Sequence, residues 1–174
     1  MTLDRKRHWE TVYEQKSPLE VSWYQSDPLL SLELIQNTGI PQDAAIIDVG
    51  GGASILVDRL LASGYRNVSV LDLSAKALAY AQARLGGTSH RATWIEADIT
   101  AFIPRVRSGG HVIIAAFAIG GPTQCSGLDI VQYDAEKLSE TLGEQFRLAE
   151  ERVELHITPA NREQKFVYFR LVRI

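Results

Sequence analysis

The sequence is poor in the features that assign a protein to a specialised class. Cys125 is the single cysteine among 174 residues, which excludes an internal disulfide framework and favours a reducing compartment. No apolar run reaches the roughly 18 residues of a transmembrane helix, so we expect no membrane span. The first residues, MTLDRKRHWE, include no apolar signal region. Together these absences predict a cytoplasmic protein.

Charge of one sign is also scarce. The formal net charge is −3 and the basic stretch from Arg5 to Arg7 is short, so we expect neither nucleic acid nor a membrane surface as a partner. The histidines show no metal-ligand spacing with one another or with Cys125, and we expect no metal site. A composition of 45% hydrophobic and 22% charged residues is typical of a globular protein, and the length predicts one domain spanning residues 1–174.

Hydrophobic periodicity predicts that residues 1–40 form a helical segment. Trp9, Val12 and Tyr13 have the spacing of one face of an amphipathic helix. A second helix is predicted in SWYQSDPLLSLELIQNTG, with Asp27 as its N-cap and Gly39 as its stop signal.

Beyond residue 40, strands and helices alternate. The segments AAIIDVGGG, NVSVLDLS and ATWIEAD predict three strands joined by two helices, the second capped by Ser74. This order favours a parallel sheet with right-handed crossovers. GGHVIIAAFA predicts a strand buried on both faces, followed by a helix capped by Asp134 and two strands in an antiparallel hairpin. The fold class is α/β, with a doubly wound and mostly parallel sheet.

The turn after the first strand, in DVGGGASI, predicts a ligand site. Glycines let the backbone come close to a ligand, and the free N–H groups of the following helix offer an anion site. Asp48, Asp72 and Asp98 each end one of the first three strands. Because ligands of open α/β sheets bind beyond the carboxyl ends of the strands, we expect these acids and the turn to converge on a nucleoside-type ligand. The alternative is a glycine turn that only connects a strand to a helix.

A nicotinamide dinucleotide, and with it an oxidoreductase, is disfavoured by one residue. The dinucleotide fingerprint is G-x-G-x-x-G, and Ile55 stands where the last glycine belongs. That glycine permits close helix–strand packing, so a ligand with a ribose but no pyrophosphate fits better. S-adenosylmethionine is such a ligand, and we expect it as the cofactor, with S-adenosylhomocysteine as its product.

Longer stretches resemble class I S-adenosylmethionine-dependent methyltransferases. IIDVGGGAS, VLDLS and EADI resemble the first three motifs, and HWETVYEQKSPLEVSWYQSDPLLSLELI resembles the aromatic N-terminal region of one branch. With GGHVIIAAFAIGGPTQCSGL, the resemblance covers nearly the whole chain and implies a Rossmann-like methyltransferase sheet. Ser54 departs from the many members that have another glycine there. The implied cofactor-binding residues are Asp48, Gly50, Gly51 and Gly52 at the methionine part, Asp72 at the ribose, Leu73, Asp98 and Ile99 around the adenine, and Trp9, Tyr13 and Trp23 closing over the cofactor. Judged by position alone, the three aromatic residues are core side chains that fix the N-terminal helices.

One part of that family's fold is missing. A fourth strand and a helix normally follow the third strand, but only the segment from Asp98 to Gly110 precedes the strand at His111. We expect this connection to be largely extended, because Pro104 disfavours a helix interior. The chain is thus shortened by about one strand and one helix. Either the His111 strand pairs with the first strand, or a second copy of the chain fills the gap. Since one sheet face then exposes apolar surface, we expect a homodimer that buries this face.

Two functions from different classes follow. The first is an S-adenosylmethionine-dependent methyltransferase that acts on a small molecule or a protein side chain. Because the sequence identifies no catalytic base, no catalytic residue is named. The second is a catalytically reduced protein that binds S-adenosylmethionine or S-adenosylhomocysteine and has a regulatory or dimeric scaffold role. The shortened middle favours the binding protein, and the aromatic N-terminal region favours the enzyme.

Overall fold

The computed structural model describes residues 4–98 and 106–174, which form two compact units. The first unit contains α1 (Arg5–Gln15), α2 (Leu29–Gln36), β1 (Ala45–Val49), α3 (Leu56–Ala62), β2 (Asn67–Asp72), α4 (Ala75–Leu85), a 3-10 helix (Gly86–Arg91) and β3 (Ala92–Glu96). The second contains β4 (His111–Phe117), β5 (Gln124–Cys125), β6 (Leu128–Asp129), α5 (Ala135–Leu142), β7 (Phe146–Ile157) and β8 (Glu163–Arg173). Organisation of the chain as one domain stays a prediction.

Side-chain caps start three helices, and two of these caps were predicted. Ser74 caps α4 by accepting a hydrogen bond from the Ala77 N–H at 3.2 Å. Asp134 caps α5 in the same way through the Lys137 N–H, at 2.9 Å. Asp4 caps α1. Each cap satisfies a backbone donor that the first helical turn leaves without an intrahelical partner.

The predicted cap of α2 is wrong. The helix begins at Leu29, and Pro28, in the N-cap position, makes no side-chain hydrogen bond to the helix. Asp27 instead accepts a hydrogen bond from the guanidinium of Arg59 in α3, at 3.0 Å. The carboxylate is used in an ion pair with the neighbouring helix, a partner that the local sequence pattern does not reveal.

The first three predicted strands form a parallel sheet. β2 lies between β1 and β3, and Asp72 at the end of β2 stands opposite Glu96 at the end of β3. Val68 and Val70 of β2 are 2% and 0% exposed. They alternate along the strand and so point to one face of the sheet. Both α3 and α4 contact β2 and help to enclose the core of this unit.

On the face of the sheet opposite to Val68 and Val70, the side chains of β1 are exposed. Ala45, Ile47 and Val49 are exposed, whereas Ile46 and Asp48 between them are partly buried. Ile47 is 41% exposed and Val49 is 37% exposed. Parallel strands are normally covered by helices on both faces. The apolar surface that we expected from the shortened chain is therefore found on β1.

The second unit contains an antiparallel sheet in the order β4–β8–β7. β7 and β8 form the hairpin predicted at the end of the chain, with Val153 opposite Val167. Phe169 and Leu171 of β8 are 0% and 1% exposed, and they cluster with Leu138 of α5. β5 and β6 form a short hairpin that the sequence analysis does not predict.

The structure confirms an α/β fold with a parallel sheet and a C-terminal antiparallel hairpin. In the described part of the chain, no strand or helix lies between β3 and β4. Pro104 and the expected extended connection fall outside the described residues. In the second unit, β4 takes its hydrogen bonds from β8. Whether the His111 strand pairs with β1 or a second copy of the chain fills the gap stays a prediction. The parallel sheet of the first unit consists of β1, β2 and β3.

Two leucines of α2 provide a matched test of this core. Leu34 is 0% exposed and Leu29 is 68% exposed. We expect Leu34→Ala to lower the free energy of unfolding by about 2–5 kcal/mol, because it removes buried methyl groups and leaves a cavity. Leu29→Ala should change it by less than about 0.5 kcal/mol. Urea denaturation measures both, and equal losses in the two variants would contradict the assigned face of α2.

Candidate cofactor site

The turn after β1 is held against β2 by backbone hydrogen bonds. The N–H groups of Gly50 and Gly51 both donate to the Leu71 carbonyl, at 2.8 and 3.2 Å. Gly50 has a φ of 70° and Gly52 a φ of 34°, in the left-handed region that favours glycine. The chain therefore turns tightly at the carboxyl end of the sheet before α3 begins.

Two carboxylates approach this turn so closely that side chains are excluded from it. A Cβ atom on Gly51 would lie 2.5 Å from Asp48 Oδ2 and 2.8 Å from Val70 Cγ1. A Cβ atom on Gly52 would lie 2.7 Å from Asp72 Oδ2. Real Cβ atoms essentially never approach other atoms this closely, so only glycine fits at either position. The structure brings Asp48, Gly51, Gly52 and Asp72 together, as the sequence predicts.

Both carboxyl groups lie where ionisation is costly. Burial, and after it the nearby charge of Asp72, raise the pKa of Asp48 from 3.8 to about 6. The Asp48 Oδ2 atom is enclosed and has no hydrogen-bond partner within residues 4–98 and 106–174. Burial also raises the pKa of Asp72, against hydrogen bonds from the backbone N–H groups of Ser74 and Leu73. A ligand that donates hydrogen bonds or carries positive charge would relieve this electrostatic cost.

Hydrogen bonds link the start of α4 to the end of β2 and to α1. Asp72 is 9% exposed, and its Oδ1 atom accepts a hydrogen bond from the Ser74 N–H at 2.8 Å. Glu10 of α1 accepts from the Ala75 N–H at 2.6 Å, at the first residue of α4. The charge of Glu10 also raises the pKa of Asp72. α1 therefore lies beside the carboxyl end of β2.

Two ion pairs hold α1 in this position. Lys6 pairs with Glu96 at the end of β3, and Glu14 pairs with Lys76 in α4. All four side chains are substantially exposed, and exposed pairs of this kind contribute little to stability because water screens them. They orient the helix more than they stabilise the fold.

Two of the three predicted aromatic residues meet in the first unit. The rings of Trp9 and Trp23 lie 5.6 Å apart in an edge-to-face arrangement, and His8 stacks edge-on against Trp9 at 5.1 Å. Tyr13 lies one helical turn beyond Trp9 on α1 and is partly buried. Trp9 and Tyr13 thus belong to the same helix as Glu10, which contacts the start of α4.

The remaining predicted residues follow the strand ends. Leu73 is partly buried and lies between Asp72 and the capping Ser74. Asp98 comes two residues after β3 and is exposed. The register that sets Asp72 opposite Glu96 brings the start of this segment to the same edge of the sheet as Asp72. Ile99 lies outside the described residues.

Sequence reasoning missed two residues that shape the site. Glu10 carries no motif signal, because its partner Ala75 is 65 positions away. Arg84 of α4 donates to the carbonyls of Ala53 and Ser54, both at 2.7 Å, and pairs with Asp58 through two nitrogens. This guanidinium ties the end of the glycine turn to α4. Helical spacing places Arg84 near the end of α4, but it does not indicate which carbonyls the side chain reaches.

Comparison with known proteins finds similarity in structure alone. No protein-family model and no curated protein sequence matches the chain. A crystal structure of an S-adenosylmethionine-dependent methyltransferase from Anabaena variabilis aligns with a TM-score of 0.73 at 12% identity, covering 99% of this chain and 96% of that one. A protein solved in a study of disulfide-to-thioacetal conversion during echinomycin biosynthesis aligns with a TM-score of 0.68 at 16% identity, covering 97% and 91%.

A third similar structure was solved with a cofactor product bound. The glycopeptide N-methyltransferase MtfA in complex with S-adenosylhomocysteine aligns with a TM-score of 0.60 at 14% identity, covering 87% of this chain and 92% of that one. Because the identities are low, these alignments establish the fold and not the activity. The chain has the fold of class I S-adenosylmethionine-dependent methyltransferases.

Among the described residues, no group of three or more His, Cys, Asp and Glu side chains is arranged to hold a metal ion. None of the helices within residues 4–98 and 106–174 is long and apolar enough to cross a membrane.

The glycine turn generates a matched pair of variants. We expect Gly51→Ala to lower the free energy of unfolding by about 1–3 kcal/mol, because the added Cβ overlaps Asp48 and Val70. Gly87→Ala is the control, since a Cβ atom there meets nothing within 4 Å. It should leave stability unchanged or raise it by up to about 1 kcal/mol. Urea denaturation at neutral pH measures both, and a neutral Gly51→Ala would contradict the close approach.

The buried Asp48 predicts a pH dependence of stability. Its pKa in the folded chain lies above the ordinary 3.8, so the unfolded chain loses this proton first. The proton on Asp48 therefore stabilises the folded chain. This stabilisation is fully present below about pH 4 and is lost as the pH rises to about 6. The loss at neutral pH is on the order of 2–3 kcal/mol. Asp72, whose pKa is also raised, adds in the same direction.

Replacement of the carboxylate tests this account. We expect Asp48→Asn to be more stable than the wild type at pH 7.5 and to lose much of the decline between about pH 4 and 6. Urea denaturation as a function of pH measures the difference. Asp43→Asn, at an exposed position, serves as the control and should follow the wild type. An Asp48→Asn curve parallel to that of the wild type would show that Asp48 does not titrate in the folded protein as described.

Proposed function

We propose that this protein binds S-adenosylmethionine at the carboxyl ends of β1, β2 and β3 and transfers its methyl group to an acceptor. The observation that carries the proposal is the close approach of Gly51 and Gly52 to Asp48 and Asp72. A glycine turn with no room for side chains, the Asp48 carboxyl group with one oxygen lacking a hydrogen-bond partner among the described residues, and the buried Asp72 carboxyl group form a cradle for a polar, partly cationic ligand. The residues present fit this cofactor.

Each part of the cofactor has a proposed partner in the first unit. The Asp72 carboxylate, at the end of β2, is suited to accept hydrogen bonds from both ribose hydroxyls. The backbone of the glycine turn and Asp48 lie beside the methionine part. Leu73 and Asp98 are proposed to lie around the adenine, and Ile99, outside the described residues, is assigned there by the resemblance alone. These roles rest on the strand-end positions of the residues and on the resemblance of IIDVGGGAS, VLDLS and EADI to the family's motifs.

Trp9, Tyr13 and Trp23 are proposed to close over the bound cofactor. The support is the packing of Trp9 on Trp23 and the contact of Glu10 with the start of α4, which brings α1 to the site. Aromatic faces attract a positively charged group such as a sulfonium. The carboxyl groups of Asp48, Asp72 and Glu10 add negative charge of the complementary sign.

In this proposal the bound cofactor supplies an electrophilic methyl group on its sulfonium. The chain's own residues bind and orient that group, and the rate depends chiefly on how well the acceptor is positioned in line with it. The acceptor is a small molecule or a protein side chain. No residue of the described site is assigned as a general base.

The second candidate is a binding protein for S-adenosylmethionine or S-adenosylhomocysteine with a regulatory or dimeric scaffold role. It is favoured by the shortened middle, since no strand or helix lies between β3 and β4 in the part of the chain that the structure describes. In the resembling family, the end of that fourth strand lines the acceptor pocket. A turnover assay with a broad acceptor panel separates the two: methyl transfer above background supports the enzyme, and tight binding without transfer supports the binding protein.

We further propose that the protein forms a homodimer. The support is the apolar surface left exposed on both units, at Ile47 and Val49 of β1 and at Val153 and Leu155 of β7. A cytoplasmic location is proposed on the single cysteine, which fits a reducing compartment.

Cofactor binding can be tested by calorimetry. We expect wild-type protein to bind S-adenosylhomocysteine in the micromolar range and Asp72→Ala to abolish binding, because the ribose hydroxyls lose their acceptor. Asp43→Ala, at an exposed position, should bind like the wild type. A nicotinamide dinucleotide should give no heat. Wild-type protein without affinity for S-adenosylhomocysteine would overturn the cofactor proposal.

A further inference from the structure

The second half of β7, from Val153 to Ile157, exposes a strip of apolar side chains, and we call it the outer half of the strand. Val153, Leu155 and Ile157 are 57%, 59% and 51% exposed. They alternate along the strand and therefore lie on the same face of the sheet. β7 is an edge strand, because the order of its sheet is β4–β8–β7. Among the described residues, β8 is the only strand that pairs with it.

The backbone of the same three residues points to the open edge. At the end of the hairpin, the Thr158 N–H donates to the Arg162 carbonyl at 2.9 Å. Hydrogen-bonding direction alternates along an antiparallel strand, so His156 and Glu154 also direct their N–H and C=O groups toward β8. The N–H and C=O groups of Val153, Leu155 and Ile157 then face outward. Apolar side chains and available backbone groups coincide at one edge.

The two halves of β7 differ in how this edge is protected. The inner half has a β-bulge between Leu148 and Glu150, and bulges disrupt pairing along an edge. From Glu150 to Ile157 the register with β8 is regular. A regular, apolar edge is a template for pairing with another chain. The outer half of β7 therefore has the character of an interface.

We propose that a second copy of this chain pairs antiparallel with the outer half of β7, with Leu155 on the two-fold axis. Leu155 then stands opposite Leu155 of the second copy, and Val153 stands opposite Ile157. Their outward N–H and C=O groups form the ladder. On the other face, Glu154, whose carboxylate accepts a hydrogen bond from the Tyr168 hydroxyl, lies opposite the buried His156 of the second copy, so no two carboxylates meet there. The three-stranded sheets of the two copies join into one continuous sheet.

Neighbouring registers are less favourable. Centring on Glu154 sets two carboxylates directly opposite each other, which is destabilising. Centring on His156 sets Pro159 opposite Val153, and proline has no N–H to donate. Centring on Val153 pairs Arg152 with Glu154, but it sets Leu155 opposite the charged Glu151. Of these four registers, the one centred on Leu155 alone pairs all three exposed apolar side chains with one another, which argues for a second copy as the occupant.

This interface differs from the open face of β1. The sequence predicts a homodimer that buries the latter, but Ile47 and Val49 are less exposed than the strip on β7, at 41% and 37%. The inference rests on the proposed homodimer and specifies its surface.

Oligomeric state is measured by light scattering on the full chain at micromolar concentration. We expect wild-type protein at twice the 19.3 kDa mass of one chain. Leu155→Lys should raise the dimer dissociation constant by about tenfold or more, because it sets like charges opposite each other on the axis. Ile47→Lys, on the face of β1, should leave the dimer intact. Circular dichroism and a cooperative urea transition check that the variants are folded.

The outcomes distinguish the proposal that the protein is a homodimer from the proposal that β7 forms its interface. A monomeric wild type would overturn the homodimer itself. A dimer that survives Leu155→Lys, or that is lost in Ile47→Lys alone, would overturn the β7 interface and leave the homodimer standing. Neither result bears on the cofactor site, which calorimetry tests separately.

Cysteine cross-linking tests the register in a Cys125→Ser background. Opposite residues of a hydrogen-bonded antiparallel pair have Cα atoms about 5.5 Å apart, within the range of a disulfide. Leu155→Cys should therefore form a covalent dimer under mild oxidation. Val153→Cys is the matched control, because the two Val153 residues are offset by about 14 Å along the strands. Cross-linking of Val153→Cys but not of Leu155→Cys would overturn the register.

Discussion

The candidate site depends on the absence of two Cβ atoms. Gly51 and Gly52 bring the backbone against the carboxylates of Asp48 and Asp72, at distances that no other residue allows. The same turn is anchored to β2 by hydrogen bonds from Gly50 and Gly51 to one carbonyl. The end of β1, the end of β2 and the start of α3 are consequently fixed relative to one another.

That packing has an electrostatic cost. Two carboxyl groups lie near each other in a poorly solvated place, and Glu10 adds a third negative group. A fold selected for stability alone would not retain an enclosed carboxylate oxygen without a partner. Costs of this kind are concentrated at binding and catalytic sites, where a ligand supplies the missing interactions. The electrostatic cost and the steric constraint therefore both indicate a ligand site at the glycine turn beside Asp48 and Asp72.

Features that depend on neighbouring residues could be predicted from the sequence. The strands at Asp48 and Asp72, the glycine turn and the cap at Ser74 all rest on local patterns, and the structure contains them. Features that depend on distant residues could not. The contact between Glu10 and Ala75 spans 65 positions, and the ion pair of Asp27 with Arg59 replaces an expected helix cap. The pairing of β4 with β8 was likewise missed, because strand pairing depends on which edges are available rather than on the sequence of either strand.

Arg84 places a constraint on the length of α4. Ser74 begins this helix beside Asp72, and Arg84 near its end holds the carbonyls of Ala53 and Ser54. Each residue of an α-helix turns the next by about 100°. Insertion or deletion of a single residue between these two positions would rotate the guanidinium to another side of the helix, out of reach of both carbonyls. The number of residues between Ser74 and Arg84 is therefore fixed. We expect the loops that flank α4 to tolerate insertions and deletions that the interior of the helix does not.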